Sequence, residues 1–60
     1  MMNIVTMDST KDLVTVQINH KIFAAPLQDC IGYPEDFFLS ADETALEEIG
    51  FEFAYGVNAY

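Results

Sequence analysis

A single cysteine, Cys30, in a chain of 60 residues leaves no internal disulfide to form. That constrains the fold more than any other feature of the sequence. At this length, folding buries only about 60% of the surface the unfolded chain exposes, so the core is marginal. Domains this small commonly add disulfides, a structural metal or a second subunit. His20 is the only histidine, and no set of Cys and His has zinc spacing, so no metal or other cofactor is expected. Oligomerisation is the remaining staple. A homodimer is therefore expected, with contacts around Phe51 to Val57 or at Phe37-Phe38, and with Tyr60 exposed or at such a contact. One domain spans residues 1–60. The lone thiol fits a reducing compartment and places the chain in the cytoplasm.

Charge divides the chain in two. Asp8 and Asp12 balance Lys11 and Lys21 in residues 1–28. Residues 29–60 carry Asp29, Glu35, Asp36, Asp42, Glu43, Glu47, Glu48 and Glu52 and no Lys or Arg, so the net charge of −8 belongs to that half. Tyr33, Phe37, Phe38, Phe51, Phe53, Tyr55 and Tyr60 lie there too. With 52% hydrophobic residues, three Gly and two Pro, the composition is that of a folded domain and not of a disordered chain. The opening Met1-Met2-Asn3-Ile4-Val5 lacks the basic segment and long apolar run of a signal peptide, and nothing reads as a membrane span. An acidic surface is repelled by anionic lipid headgroups. It is equally unsuited to direct nucleic-acid binding, which needs Lys and Arg on phosphates.

Periodicity gives the element order. Asn3 to Met7 reads as a short strand, and Asp8 to Asp12 as a polar turn. Val14, Val16 and Ile18 alternate with Thr15 and Gln17, as in a half-buried strand. Asn19-His20 interrupts the pattern where Asn favours a tight hairpin, and Ile22 to Ala25 resumes it. Pro26 ends that strand or marks an edge. Pro34-Glu35-Asp36-Phe37 can open one helical turn. Ser40-Ala41-Asp42-Glu43 has the form of a capping box, followed by Ala45, Leu46 and Ile49 on one arc and by Gly50. This predicts a single long helix over Ala41 to Ile49 with Ser40 as its N-cap. Phe51, Phe53, Tyr55 and Val57 then alternate with Glu52, Ala54 and Gly56 in a strand with one aromatic face. The expected fold is α+β: a small, mostly antiparallel β-β-β-α-β sheet with one helix packed on one face.

The chemistry-bearing residues point to binding. Glu47 and Glu48 fall in the last turn of the predicted helix, where negative charge opposes the dipole. Glu43 and Glu47 are four apart, and like charges at that spacing cost roughly 0.2–0.5 kcal/mol. No neighbouring cation in the sequence offsets them, and a basic partner would. Glu43 and Glu47 are expected to face solvent. Carboxylates one helical turn apart are separated by about 5–6 Å, similar to neighbouring phosphates along a nucleic-acid strand. Tyr33, Phe37 and Phe38 flank Glu35 and Asp36 as aromatic anchors among charges. One of Phe37 and Phe38 is assigned to the core, and Phe37 to the partner surface. His20 is read as a turn residue and Cys30 as a small, partly buried hydrophobe without an activating base. No EF-hand spacing, phosphate loop or substrate-enclosing carboxylate pair is present, so no enzyme is expected.

The partner-binding set read from the sequence is thus Glu35, Asp36, Phe37, Asp42, Glu43, Glu47, Glu48 and Glu52. In size, charge and lack of catalytic groups the chain resembles the small acidic proteins that phages and mobile elements use against host machinery, such as uracil-DNA glycosylase inhibitors, anti-restriction proteins and anti-CRISPR proteins. That resemblance implies a protein that blocks a basic nucleic-acid-binding protein by mimicking DNA or RNA charge. The other reading is an antitoxin-like or assembly module that docks through aromatic residues.

Overall fold

A computed structural model describes residues 2–56. Four strands form one antiparallel sheet in the order β1-β2-β3-β4: β1 Ile4–Asp8, β2 Leu13–Ile18, β3 Lys21–Pro26 and β4 Glu52–Gly56. Three short helices lie between β3 and β4: α1 Leu27–Cys30, α2 Glu35–Ser40 and α3 Glu43–Glu48. Because β4 pairs with β3, the helical segment is one long hairpin connection folded back over a single face of the sheet.

Local chemistry sets the turns. The Asp8 carboxylate accepts the backbone N–H groups of Thr10 (3.0 Å) and Lys11 (3.2 Å), which closes the β1–β2 loop. Asp12 and Asn19 take φ of 52° and 56°, a region Asp and Asn tolerate better than most residues. Pro26 closes β3, and the next N–H, of Leu27, donates to the Asp12 carbonyl at 2.8 Å. In β4 the register slips: Tyr55 faces Ile22 and Phe53 faces Phe23, so Ala54 is the extra residue of a bulge.

Side-chain alternation sends Val14, Val16, Phe23 and Ala25 toward the helices, where they meet Cys30, Phe38, Leu46 and Phe51. Phe38 and Leu46 are fully buried, and Phe51 is nearly so. Phe38 stands 5.7 Å from Phe51 and 5.5 Å from Phe37, ring centre to ring centre, so these three rings help build the core, while Tyr33, Phe53 and Tyr55 are exposed. The half-buried Asn3 ties the layers together. Its amide donates to the Phe38 (3.0 Å) and Ala41 (2.8 Å) carbonyls, and its N–H donates to Leu39 O (2.9 Å). These bonds satisfy the C-terminal end of α2.

The α+β class, the antiparallel sheet and the one-sided helical layer agree with the sequence reading; the single long helix over Ala41 to Ile49 does not. Ser40 is the last residue of α2, its hydroxyl donating to the Asp36 carbonyl four residues back (3.0 Å). Ala41 is extended (φ −69°, ψ 145°), which separates α2 from α3. Asp42 is the N-cap of α3, its carboxylate accepting the Ala45 N–H at 2.8 Å. The cap thus lies two residues beyond the expected Ser40. At the other end Gly50, with φ 110°, lets its own N–H reach Glu47 O (3.2 Å) and that of Phe51 reach Leu46 O (2.9 Å), while Leu46 and Phe51 bury together. That is a Schellman closure with its apolar contact. The expectations for Val57 and Tyr60 lie outside the described residues.

Candidate functional site

Seven of the ten acids fall in the helical layer: Asp29, Glu35, Asp36, Asp42, Glu43, Glu47 and Glu48. The core dictates their outward placement, since the inward positions of the three helices are taken by Cys30, Phe38 and Leu46. All seven are exposed except Glu43, which is half-buried. Glu35 and Asp36 occupy the first turn of α2, where negative charge complements the dipole. Glu47 and Glu48 end α3, with no basic residue in that turn.

Three of the expected site residues behave differently from the sequence reading. Glu43 faces solvent but is not free: its side chain, 44% exposed, stands one turn before Leu46 and pairs with Lys21 Nζ at 3.3 Å. Lys21 comes from β3, so the sequence neighbourhood of Glu43 does not reveal it. Glu52 does not join the helical acids. It pairs with Ala24 in the sheet and so projects on the face away from the helices. Phe37 is half-buried, stacked on Tyr33 at 5.4 Å and on Phe38, and packs against the core; Phe38 is the wholly buried member of that pair. Asp29, conversely, is absent from the set read from the sequence. Its carboxylate oxygen lies 3.8 Å from where a Cβ on Gly50 would stand, which brings it beside the C-terminal end of α3. Asp29 belongs to the run of eight acids, but the sequence pattern around it does not reveal the α1 turn that carries it there.

Large apolar side chains are exposed as well, among them Phe53 and Tyr55 on β4. Ile31 and Tyr33, in the α1–α2 connection, are exposed. Cys30 is buried, and burial first, then the neighbouring Asp29 charge, raises its thiol above the ordinary value of 9.0. It is a neutral core group, not a nucleophile. An open cleft of about 430 Å³ is lined by Asp12, Pro26, Leu27, Gln28 and Ile31, and one of about 260 Å³ by Met2, Asn3, Ile4, Gln17, Ile18 and Asn19. Among the described residues Asp12 is the only ionisable side chain in either lining. Among the described residues no cluster of His, Cys, Asp and Glu is arranged to hold a metal, and no helix is long and apolar enough to cross a membrane. No protein-family model matches the chain, and neither a curated protein nor a solved structure is significantly similar to it.

Proposed function

We propose that this chain is a non-enzymatic, stoichiometric inhibitor of the phage or mobile-element type, which occupies the nucleic-acid site of a basic protein in the cytoplasm. The observation that carries the reading is the helical layer, which presents seven carboxylates and no Lys or Arg of its own. Lys21 reaches one of them from the sheet, and Glu43 is thereby partly neutralised. The other six keep their charge exposed, on a scaffold whose inward residues hold their helices in place. A groove lined with Lys and Arg would meet this layer as it meets a phosphate backbone, and the long-range field would speed their encounter. The proposed contact set is Glu35, Asp36, Asp42, Glu47 and Glu48, with Asp29 added and Glu52 removed.

Capture on the immobilised chain from a bacterial lysate, eluted by salt, is the direct test. The expected eluate is a basic nucleic-acid-binding protein whose affinity falls steeply between about 50 and 500 mM salt and which nucleic acid displaces. A second reading, an antitoxin-like or assembly module, is favoured by the exposed Ile31 and Tyr33 beside Phe37. Binding that is insensitive to salt and lost in Tyr33→Ser would establish it instead.

A further inference from the structure

The β1–β2 loop and the start of α1 meet at one end of the sheet, where Leu13 pairs with Pro26. There the Leu27 N–H donates to the Asp12 carbonyl at 2.8 Å, which fixes the loop against the helix. The open cleft of about 430 Å³ lies at this junction, lined by Asp12, Pro26, Leu27, Gln28 and Ile31. Pro26, Leu27 and Ile31 make its apolar walls. Leu27 is packed against the core, so its wall is held in place. Ile31 is 76% exposed, and the core beneath the helices does not use it. The polar walls are the Gln28 amide and the Asp12 carboxylate. Among the described residues the one ion pair is Lys21–Glu43, so Asp12 has no cation of its own. Lys11 precedes it in the loop but does not line the cleft. We infer that this cleft receives an arginine side chain of the basic partner, with its aliphatic stem along Pro26, Leu27 and Ile31 and its guanidinium on the Asp12 carboxylate.

Chemistry selects this occupant. An unpaired carboxylate among apolar walls calls for a side chain that is apolar along its length and cationic at its tip. Lys and Arg have that form. Arg fits better, because its planar fork offers paired donors to a carboxylate and keeps others for the Gln28 carbonyl oxygen. An uncharged apolar residue would take Asp12 out of water with nothing to bond it, and an acidic residue would be repelled. The volume falls in the range of small-ligand clefts, about 300–1,000 Å³, so the side chain can enter with part of the backbone that carries it. Position supports the same occupant. Gln28 is followed in α1 by the exposed Asp29, which stands beside the end of α3, so the cleft adjoins the acidic layer. The partner's identity rests on the inhibitor reading. The cleft adds a point of selection to it: the exposed carboxylates attract any cation, whereas apolar walls around one carboxylate favour a particular side chain.

The test is a titration of the full chain with N-acetylarginine amide in low-salt buffer, followed by amide NMR. The uncharged citrulline counterpart, of nearly the same shape, is the control. Saturable shifts are expected, largest at Asp12, Leu27, Gln28 and Ile31, with a dissociation constant on the order of 1 mM for so small a probe. The citrulline probe should bind at least about fivefold more weakly, since it lacks the charge-assisted bonds. Asp12→Asn should weaken the arginine probe by a similar factor, and Asn tolerates the φ of 52° at that position. Ile31→Ser, at an exposed site, is the second variant should the first fail to fold, and it should also weaken the probe. Glu47→Gln with Glu48→Gln should leave the affinity within about twofold, because screened charges outside the cleft add little. Shifts spread over the helical acids with no maximum at the cleft overturn the inference. So does equal binding of the citrulline probe, or undiminished binding to folded Asp12→Asn or Ile31→Ser. No partner is present in this titration, so a failed lysate capture leaves its result standing. A basic protein captured while the probe gives no shifts at the cleft overturns this inference and not the inhibitor reading.

Discussion

At the scale of single residues, two candidate caps two positions apart decide where the last helix begins. Ser40 with Glu43 has the spacing of a capping box, and Asp42 alone is an equally good N-cap by type. The structure gives Ser40 to the end of α2 and Asp42 to the start of α3. Their mutational consequences therefore separate. Asp42→Ala should cost about 1 kcal/mol, which for a domain this small is a fall of roughly 4–8 °C in Tm. Ser40→Ala loses only a back-bond to Asp36 O within an already formed turn, and its Tm should stay within a degree or two. Thermal unfolding of the two variants side by side checks the assignment; a larger loss for Ser40→Ala would restore the longer helix.

At the scale of elements, what was legible in the sequence is what local pattern controls. Strict alternation from Val14 to Ile18 gave β2, Asn19 gave the second hairpin, Pro34 marked the entry to α2, and Gly50 marked the exit from α3. Helix count was not legible, because nothing local forces Ala41 into an extended conformation. Asn3, some 35 residues away, holds the break: its amide takes up the Phe38 and Ala41 carbonyls, which a continuous helix would have bonded to the Asp42 and Ala45 N–H groups. The Glu43–Lys21 pair was hidden for the same reason, being a contact across 22 residues. This pair alters what neutralising α3 should do. Glu47→Gln with Glu48→Gln removes two charges from the unfavourable end of the dipole, each worth about 0.3–1 kcal/mol at most. The double variant should be at least as stable as the parent. Adding Glu43→Gln breaks an exposed ion pair, worth at most about 1 kcal/mol, and should return part of that gain. Melting curves order the three proteins. If the helical layer serves a basic partner, the double variant should also associate with it more slowly despite its equal or higher Tm. A double variant that melts lower would show that Glu47 or Glu48 supports the fold.

At the scale of the whole molecule, a net charge of −8 is gathered within a radius of gyration of 10.8 Å. The screening length is about 30 Å at 10 mM salt and about 10 Å at 0.1 M. In dilute buffer every carboxylate therefore feels all the others, whereas near 0.1 M each feels mainly its neighbours. Unfolding spreads the charges apart, so self-repulsion weakens the compact state most at low salt. Tm should rise with added salt, with most of the rise complete by about 150 mM, and the exposed Lys21–Glu43 pair, the one ion pair among the described residues, is too small to reverse that trend. Association with a basic partner should move oppositely over the same range, because the same screening removes its attraction. One salt series followed by calorimetry and by titration thus separates the two uses of the charge. A Tm that falls with salt would mean that attractive pairs outweigh repulsion in the folded state. The acidic layer would then have to be regarded as part of what holds the domain together, and not as a surface kept at some cost to stability.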